Sequence, residues 1–188
     1  GKYVGDCRLT HYGALLRKAL DDAGYSHVPI LTNDDADSHG LHPGFKMNML
    51  SAARIAFALP MIDALEELLR KIRPYELAEG SANAAFERAM DLVVDGLKTG
   101  GISGAGKGFK RAVEVMKTVP YDRSQLKPRV LIVGEYLLNF HPGANHYIED
   151  YLEKNGFEVI EARMTDVLRK TYFYQDAQIR EYHLKQNL

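Results

Sequence analysis

Apolar residues recur at helical spacing near the start of the chain, with Leu9, Tyr12, Leu15, Leu16, Ala19, Leu20 and Ala23 on one face. Gly24 follows the last of them, where a left-handed residue closes a helix. Val28-Pro29-Ile30-Leu31 then predicts a short strand, at an edge or at its own start because Pro29 has no N–H to give a ladder. Lys2-Tyr3-Val4 reads as the tail of an earlier strand. Residues 32–43 are polar and hold Asp34, Asp35, Asp37, His39 and His42, but not at the alternating spacing of a calcium loop, so they read as a solvated loop.

From residue 45 to residue 116 the pattern is helical almost throughout. Phe45, Met49, Ala53, Ala56 and Phe57 form a core-type stripe, and Met61, Leu65, Leu68, Leu69 and Ile72 continue it. Pro60 is expected to break or kink that run, or to open a new helix, and Pro74 to stop it. Ser81 is placed to cap the next helix, which carries Phe86, Ala89, Met90, Val93 and Leu97. Residues 100–108 are glycine-rich and predict a flexible linker before a last helix with Phe109, Ala112, Val113 and Met116.

The period then changes. Arg129-Val130-Leu131-Ile132-Val133-Gly134 is continuously apolar, as a parallel strand buried on both faces would be. A helix is expected over 144–154, ended by Gly156, then a strand at Phe157-Glu158-Val159-Ile160, giving a βαβ unit. Thr165 is placed to cap a further helix through Val167, Leu168 and Tyr172, and 175–188 reads as polar and helical. The expected fold class is α/β: a partial Rossmann-like parallel sheet (βαβ) with a large all-helical segment between its strands. The expected parts are 1–43, a first βαβ-like part; 44–120, the helical segment; and 127–188, a second βαβ part, truncated.

Composition narrows the function classes. The 188 residues are 46% hydrophobic and 26% charged, enough for a real core. The formal net charge is -1, without the basic excess that phosphate backbones demand, which argues against nucleic acid as a partner. Glu66-Glu67-Leu68-Leu69-Arg70-Lys71 mixes both signs and reads as a solvated helix face. No apolar run approaches the ~20 residues of a membrane span, so no membrane partner is expected. Cys7 is the one cysteine, which excludes an internal disulfide and fits a reducing, cytoplasmic compartment. The chain opens on Gly1 rather than Met, and the expectation is a fragment of a longer protein without a complete catalytic site.

Three stretches carry candidate chemistry. Residues 101–108 approach a phosphate-binding P-loop, but Gly108 stands where Ser or Thr would hold magnesium, and no buried strand precedes it. The loop after Val133 is stronger, because ligands of open parallel sheets bind beyond the carboxyl ends of the strands. Gly134, Glu135, Asn139, His141, Pro142, Gly143 and Asn145 lie there, ahead of a helix whose free N–H groups would favour an anion. Against this stands a plain turn shaped by Pro142 and Gly143. Cys7 sits at an expected helix N-terminus beside Arg8, where a thiolate is favoured; the alternative is an inert buried cysteine.

Gly5-Asp6-Cys7-Arg8 with Tyr12, Gly24-Tyr25 and Val28-Pro29-Ile30 resembles the Gly-x-Cys-Arg…Tyr segment of the large 2-hydroxyacyl-CoA dehydratase activators, also called CoA-substrate-specific enzyme activases. Ile72-Arg73-Pro74-Tyr75-Glu76 resembles their Arg-Pro-Tyr-Glu, and residues 127–135 with Pro142 and Asn145 resemble their Val-Gly-Glu…Pro…Asn segment. The resemblance implies a dehydratase-subunit-like region of a parent that couples ATP hydrolysis to electron transfer through an iron–sulfur cluster. Its partners would be the ATPase modules of the same parent chain and a dehydratase. Cys7 would be a cofactor ligand to that cluster, the remaining ligands lying outside this chain, with none expected in the isolated fragment. Arg8, Gly134, Glu135, His141, Gly143 and Asn145 are the ligand-binding candidates. Leu9-Thr10-His11 departs from the family's frequent Phe-Gly-Gln, and neither the further cysteines nor the ATPase motifs are present. A non-catalytic module binding an acyl-CoA, a nucleotide or a partner protein is the alternative.

Overall fold

The computed structural model describes residues 9–30, 48–134 and 136–166, with the side chains of Leu9, Thr10 and Tyr136 left aside. Two compact units divide the chain between Ala52 and Ala53. The boundary falls inside the expected helical segment 44–120, and residues 53–120 share a unit with the second α/β part.

In the first unit, α1 spans Leu9–Asp22. Its end follows the sequence reading: Gly24 takes φ 81° and donates to the Asp21 carbonyl, while Tyr25 N–H donates to Leu20 O at 2.7 Å. That pair of bonds is a Schellman closure, which only a residue free to adopt positive φ permits cheaply. Arg17 then ties the outgoing chain down, donating to Val28 O at 2.7 Å and Tyr25 O at 3.1 Å. Residues 28–30 form no strand, contrary to the sequence reading, because Pro29 lacks a donor and no partner strand pairs with them among the described residues.

The second unit is built on helices. Helix α2, Met49–Ile72, continues through Pro60, which neither ends nor restarts it. An interior proline costs about 3 kcal/mol, and the apolar stripe beyond it offsets that, with Leu65, Leu69 and Ile72 buried. The stripe before it is not core, since Met49 and Phe57 are exposed. Pro74 closes the run in a 3-10 turn, Arg73–Tyr75.

Helix α3, Ser81–Lys117, folds back on itself at Gly101, whose φ 58° and ψ -144° are non-helical. Ser81 does not cap it. Gly80 holds that position in a left-handed conformation, and the Glu76 carboxylate receives Gly80 N–H at 2.8 Å, Ala82 N–H at 2.7 Å and the Ser81 hydroxyl at 3.0 Å. A carboxylate at this positive helix end is favoured twice, by hydrogen bonds and by the dipole. The glycine-rich stretch is not a linker either. Residues 102–117 are the second helical arm, and a Cβ on Gly96 or Gly104 would collide with the backbone of the other, as one on Gly108 would with Leu92. Small residues there let the arms approach closely. Ala85, Ala89, Val93, Ala112 and Met116 fill the seam and pack against Leu65, Leu69 and Ile72 of α2.

Strands β1, Arg129–Leu131, and β2, Glu158–Ile160, form a two-stranded parallel sheet with Arg129 opposite Glu158. The architecture is thus mixed α/β, mostly helical, and the helical segment precedes both strands. β2 is buried at Glu158 and Val159, whereas β1 leaves Leu131 and Val133 exposed, not covered on both faces as its sequence predicts. The crossover holds α4, Tyr136–Phe140, which the sequence reading leaves as loop, and α5, Ile148–Lys154, which starts four residues later than expected.

Candidate functional site

The crossover places residues after β1 and after β2 opposite the end of α2, as the carboxyl edge of a parallel sheet should. Arg70 and Arg73 stand one turn apart there, each with a side chain only 16% exposed. Arg70 meets Glu149 at 3.3 Å and Glu66 at 3.5 Å, and donates closely to Glu161, the residue following β2. Arg73 grips Glu153 through Nε at 2.5 Å and its NH2 nitrogen at 2.9 Å, while also donating to Glu149 and to Asn83. The run read from sequence as a solvated helix face is therefore split. Glu67 pairs with Lys71 and Glu66 with Arg70 along the helix, but only Arg70 turns inward to reach Glu149 of α5 and Glu161 after β2.

Burial and charge compete in this network. Burial raises the pKa of Glu66, Glu153 and Glu161 above the ordinary carboxylate value despite their guanidinium partners. For Arg70 and Arg73 burial acts the other way, but the surrounding carboxylates outweigh it and hold both firmly cationic. Four carboxylates serve two guanidiniums, so negative charge is in excess.

Beside the network opens a cleft of about 350 Å³, lined by Arg70, Arg73, Asn139, Asn145, Glu149 and Glu161 among others. Asn139 is 8% exposed, and its Oδ1 is enclosed without a hydrogen-bond partner. Its neighbour is Gly134, where a Cβ would stand 3.5 Å from Oδ1. The loop rim is wound tightly, with His146 and Tyr147 both at positive φ, 58° and 56°. A second cleft of about 290 Å³ lies across the Arg70–Glu161 wall, and its acids are already engaged. Asp63 accepts Met164 N–H at 3.1 Å and Thr165 N–H at 2.8 Å, which makes Asp63, and not Thr165, the cap of the following turn. Glu67 is paired with Lys71 and Arg163.

Of the sequence-derived candidates, Cys7, Arg8 and Glu135 lie outside the described residues. Asn145 lines the cleft and Gly134 lies beside Asn139, but Asn145 uses its Oδ1 on Ile148 N–H at 3.4 Å. His141 is exposed, and its Nδ1 accepts Ala144 N–H at 3.1 Å, with Gly143 leaving room for the ring. These two hydrogen bonds and the space at Gly143 shape the loop. The anion seat expected at the next helix is not formed, since α5 has seven residues and carries Glu149 and Asp150 in its own first turn. The charged lining from α2, α5 and Glu161 escaped the sequence reading. Its one signal was Asp63, Glu66, Arg70 and Arg73 recurring at helical spacing beside the apolar stripe.

A separate locus joins two of the stretches singled out by motif. Tyr75, buried at 5% exposure, donates its hydroxyl to Glu158 at 2.8 Å and accepts Lys127 N–H at 3.0 Å. Arg123 caps the Tyr75 ring at 4.7 Å and reaches Glu158 at 2.7 Å. Glu76 bridges Tyr121, and Leu77 N–H donates to Pro120 O at 3.0 Å.

The chain matches no protein-family model, no curated protein and no solved structure. The described residues bring no three His, Cys, Asp or Glu side chains into a metal-holding group. Iron–sulfur clusters take several thiolates, so the single cysteine here does not make up a cluster site alone. Among the described residues no helix is long and apolar enough to cross a membrane.

Proposed function

We propose that the chain is the dehydratase-subunit-like, Rossmann-like region of an activator of 2-hydroxyacyl-CoA dehydratases. In this reading a longer parent supplies the ATPase modules and the other cluster ligands, and Cys7 supplies one thiolate. The single observation that supports it is the contact of Pro74 and Tyr75 from one matched stretch with Lys127 at the start of another, some fifty residues on. Two stretches first matched as separate motifs thus act as one structural unit. The test is iron and acid-labile sulfide per chain in the anaerobically purified parent and its Cys7→Ser variant. A cluster lost or depleted in the variant is expected, and an intact cluster would remove Cys7 from the role.

A second reading, a ligand-binding or docking module without redox chemistry, is favoured by the enclosed, unpaired Oδ1 of Asn139 in the cleft. A parent devoid of iron in both forms would leave this reading standing.

A further inference from the structure

We infer that residues 127–134 and 136–166 form a separately opening lobe, latched to the helical core by a polar seam, and that its release uncovers both clefts while the core stays folded. The lobe opens whichever reading above holds, and Cys7 plays no part in it.

Two independent observations converge on such a lobe. The first is where apolar burial lies. The buried cluster of the second unit runs from Leu65 to Val119, and the half-buried side chains packed on it fall between Met61 and Val115. The lobe adds none of them. Among the described residues its one buried apolar side chain is Val159, while Leu131, Val133 and Leu138 stay exposed. A two-stranded sheet is marginal by itself, so the lobe depends on what holds it to the core. The second observation is the nature of that hold. Arg70 and Arg73 reach Glu149, Glu153 and Glu161, and Glu67 meets Arg163 at 2.5 Å. Asp63 accepts Met164 and Thr165 N–H. At the other end Tyr75 and Arg123 hold Glu158, and Lys127 donates to Pro74 O. Desolvation cancels much of what such pairs return, so they fix geometry more than they add cohesion. Arg70 Nε and Arg123 Nε are enclosed at the seam without a hydrogen bond, and opening returns both to water. A polar seam of this kind, poor in apolar burial, is where one part of a chain moves against another.

The connection supplies a hinge. Asp122 N–H donates to Tyr75 O at 2.9 Å and Glu76 bridges Tyr121, so the chain belongs to the core as far as residue 122. Ser124, Gln125 and Leu126 are then exposed, and a few such loop residues suffice to absorb a rotation. Both clefts lie along the seam. The larger has Arg70 and Arg73 on one wall and Asn139 and Glu149 on the other, and the smaller sets Asp63 and Glu67 against Ile160 and Arg163. Opening the lobe therefore widens both at once.

The test is native-state hydrogen exchange of the full chain in sub-denaturing urea, read residue by residue by NMR. The amides of Lys127, Ile132, Glu158 and Thr165 report the lobe, and those of Ala89, Val93 and Ala112 report the core. In the unaltered chain the lobe amides should share one opening, at least about tenfold more frequent than that of the core. Two variants separate the parts. Arg70→Met weakens the seam and should lower protection of lobe and core alike, by about a hundredfold, because both openings start from the latched state. Gly104→Ala strains the α3 arms in the latched and open states equally. It should lower protection of the core by about tenfold and leave the lobe amides unchanged. If circular dichroism shows that Arg70→Met does not fold, Tyr75→Phe takes its place, with a loss of about tenfold read at Thr165, whose amide bonds Asp63 instead. Equal protection of lobe and core in the unaltered chain, or equal losses in Gly104→Ala, would overturn the inference, since one cooperative unit then accounts for both. Lobe amides that exchange independently, with Lys127 unmoved by Arg70→Met, would overturn it as well.

Discussion

Removing the cation from the Arg70 network should be far more damaging than removing one of its acids. In Arg70→Met, the Glu161 side chain, 7% exposed, loses its guanidinium and Glu66 loses its own, while Glu149 keeps only Arg73. Breaking a buried pair from one side typically costs about 3–5 kcal/mol, because a charge is left uncompensated. Protonation of Glu161 and Glu66, whose pKa values are already raised by burial, would soften this, so about 3 kcal/mol is expected at pH 7.5. In Glu161→Gln, by contrast, Arg70 keeps Glu149 and Glu66, and the excess of carboxylates falls. The expected loss there is about 1 kcal/mol or less. The assay is urea unfolding of both variants and of the double variant at pH 7.5. At roughly 2–4 °C per kcal/mol, Arg70→Met should also melt about 6–12 °C lower. The double variant should recover part of the Arg70→Met loss, since it removes one of the stranded acids. Equal losses in the two single variants, or no recovery in the double, would refute the account of an over-supplied acid network.

The same acids set a pH dependence. Glu66, Glu153 and Glu161 have folded pKa values above the unfolded 4.5, so the folded state binds protons more readily in the window above 4.5. Their penalty is complete at neutral pH and lifts as pH falls through the raised values, so the urea midpoint should be higher near pH 5.5 than at pH 7.5; a lower midpoint would contradict the assignment. Tyr75→Phe deletes the bond to Glu158 and strands Lys127 N–H, a loss of about 1–3 kcal/mol by denaturant titration. Gly104→Ala forces the α3 arms apart and should cost about 1–3 kcal/mol. Gly106→Ala, in open space on the same arm, should instead stabilise by about 0.5–1 kcal/mol, and matching signs for the pair would refute the close-approach reading.

Local signals carried much of this fold. Gly24 announced the end of α1 because its chemistry is decided within four residues. Leu65, Leu69 and Ile72 announced the buried face of α2 by spacing alone. What sequence missed was decided by partners far along the chain. Ser81 looked like a cap, but Glu76 reaches over it and takes the amides first. Thr165 looked like another, but Asp63, a hundred residues earlier, receives its N–H. The glycines of 101–108 looked like slack because the eye for turns counts glycine as freedom. In α3 two of them, Gly104 and Gly108, together with Gly96 on the facing arm, serve the opposite end, removing side chains so that two helical arms touch.

The cleft follows the same rule and explains why its charged wall was invisible. An alternating acid–base run on a helix is normally solvated, and Glu67 with Lys71 behaves that way. Arg70 and Arg73 differ because α5 presents Glu149 and Glu153 to them and the chain leaving β2 presents Glu161. The loop residues that sequence favoured, His141, Gly143 and Asn145, turn out to hold the loop in shape. Asn139 in that loop is enclosed with its Oδ1 unpaired, as Arg70 Nε is on the helix opposite, so incomplete bonding marks both walls of the cleft.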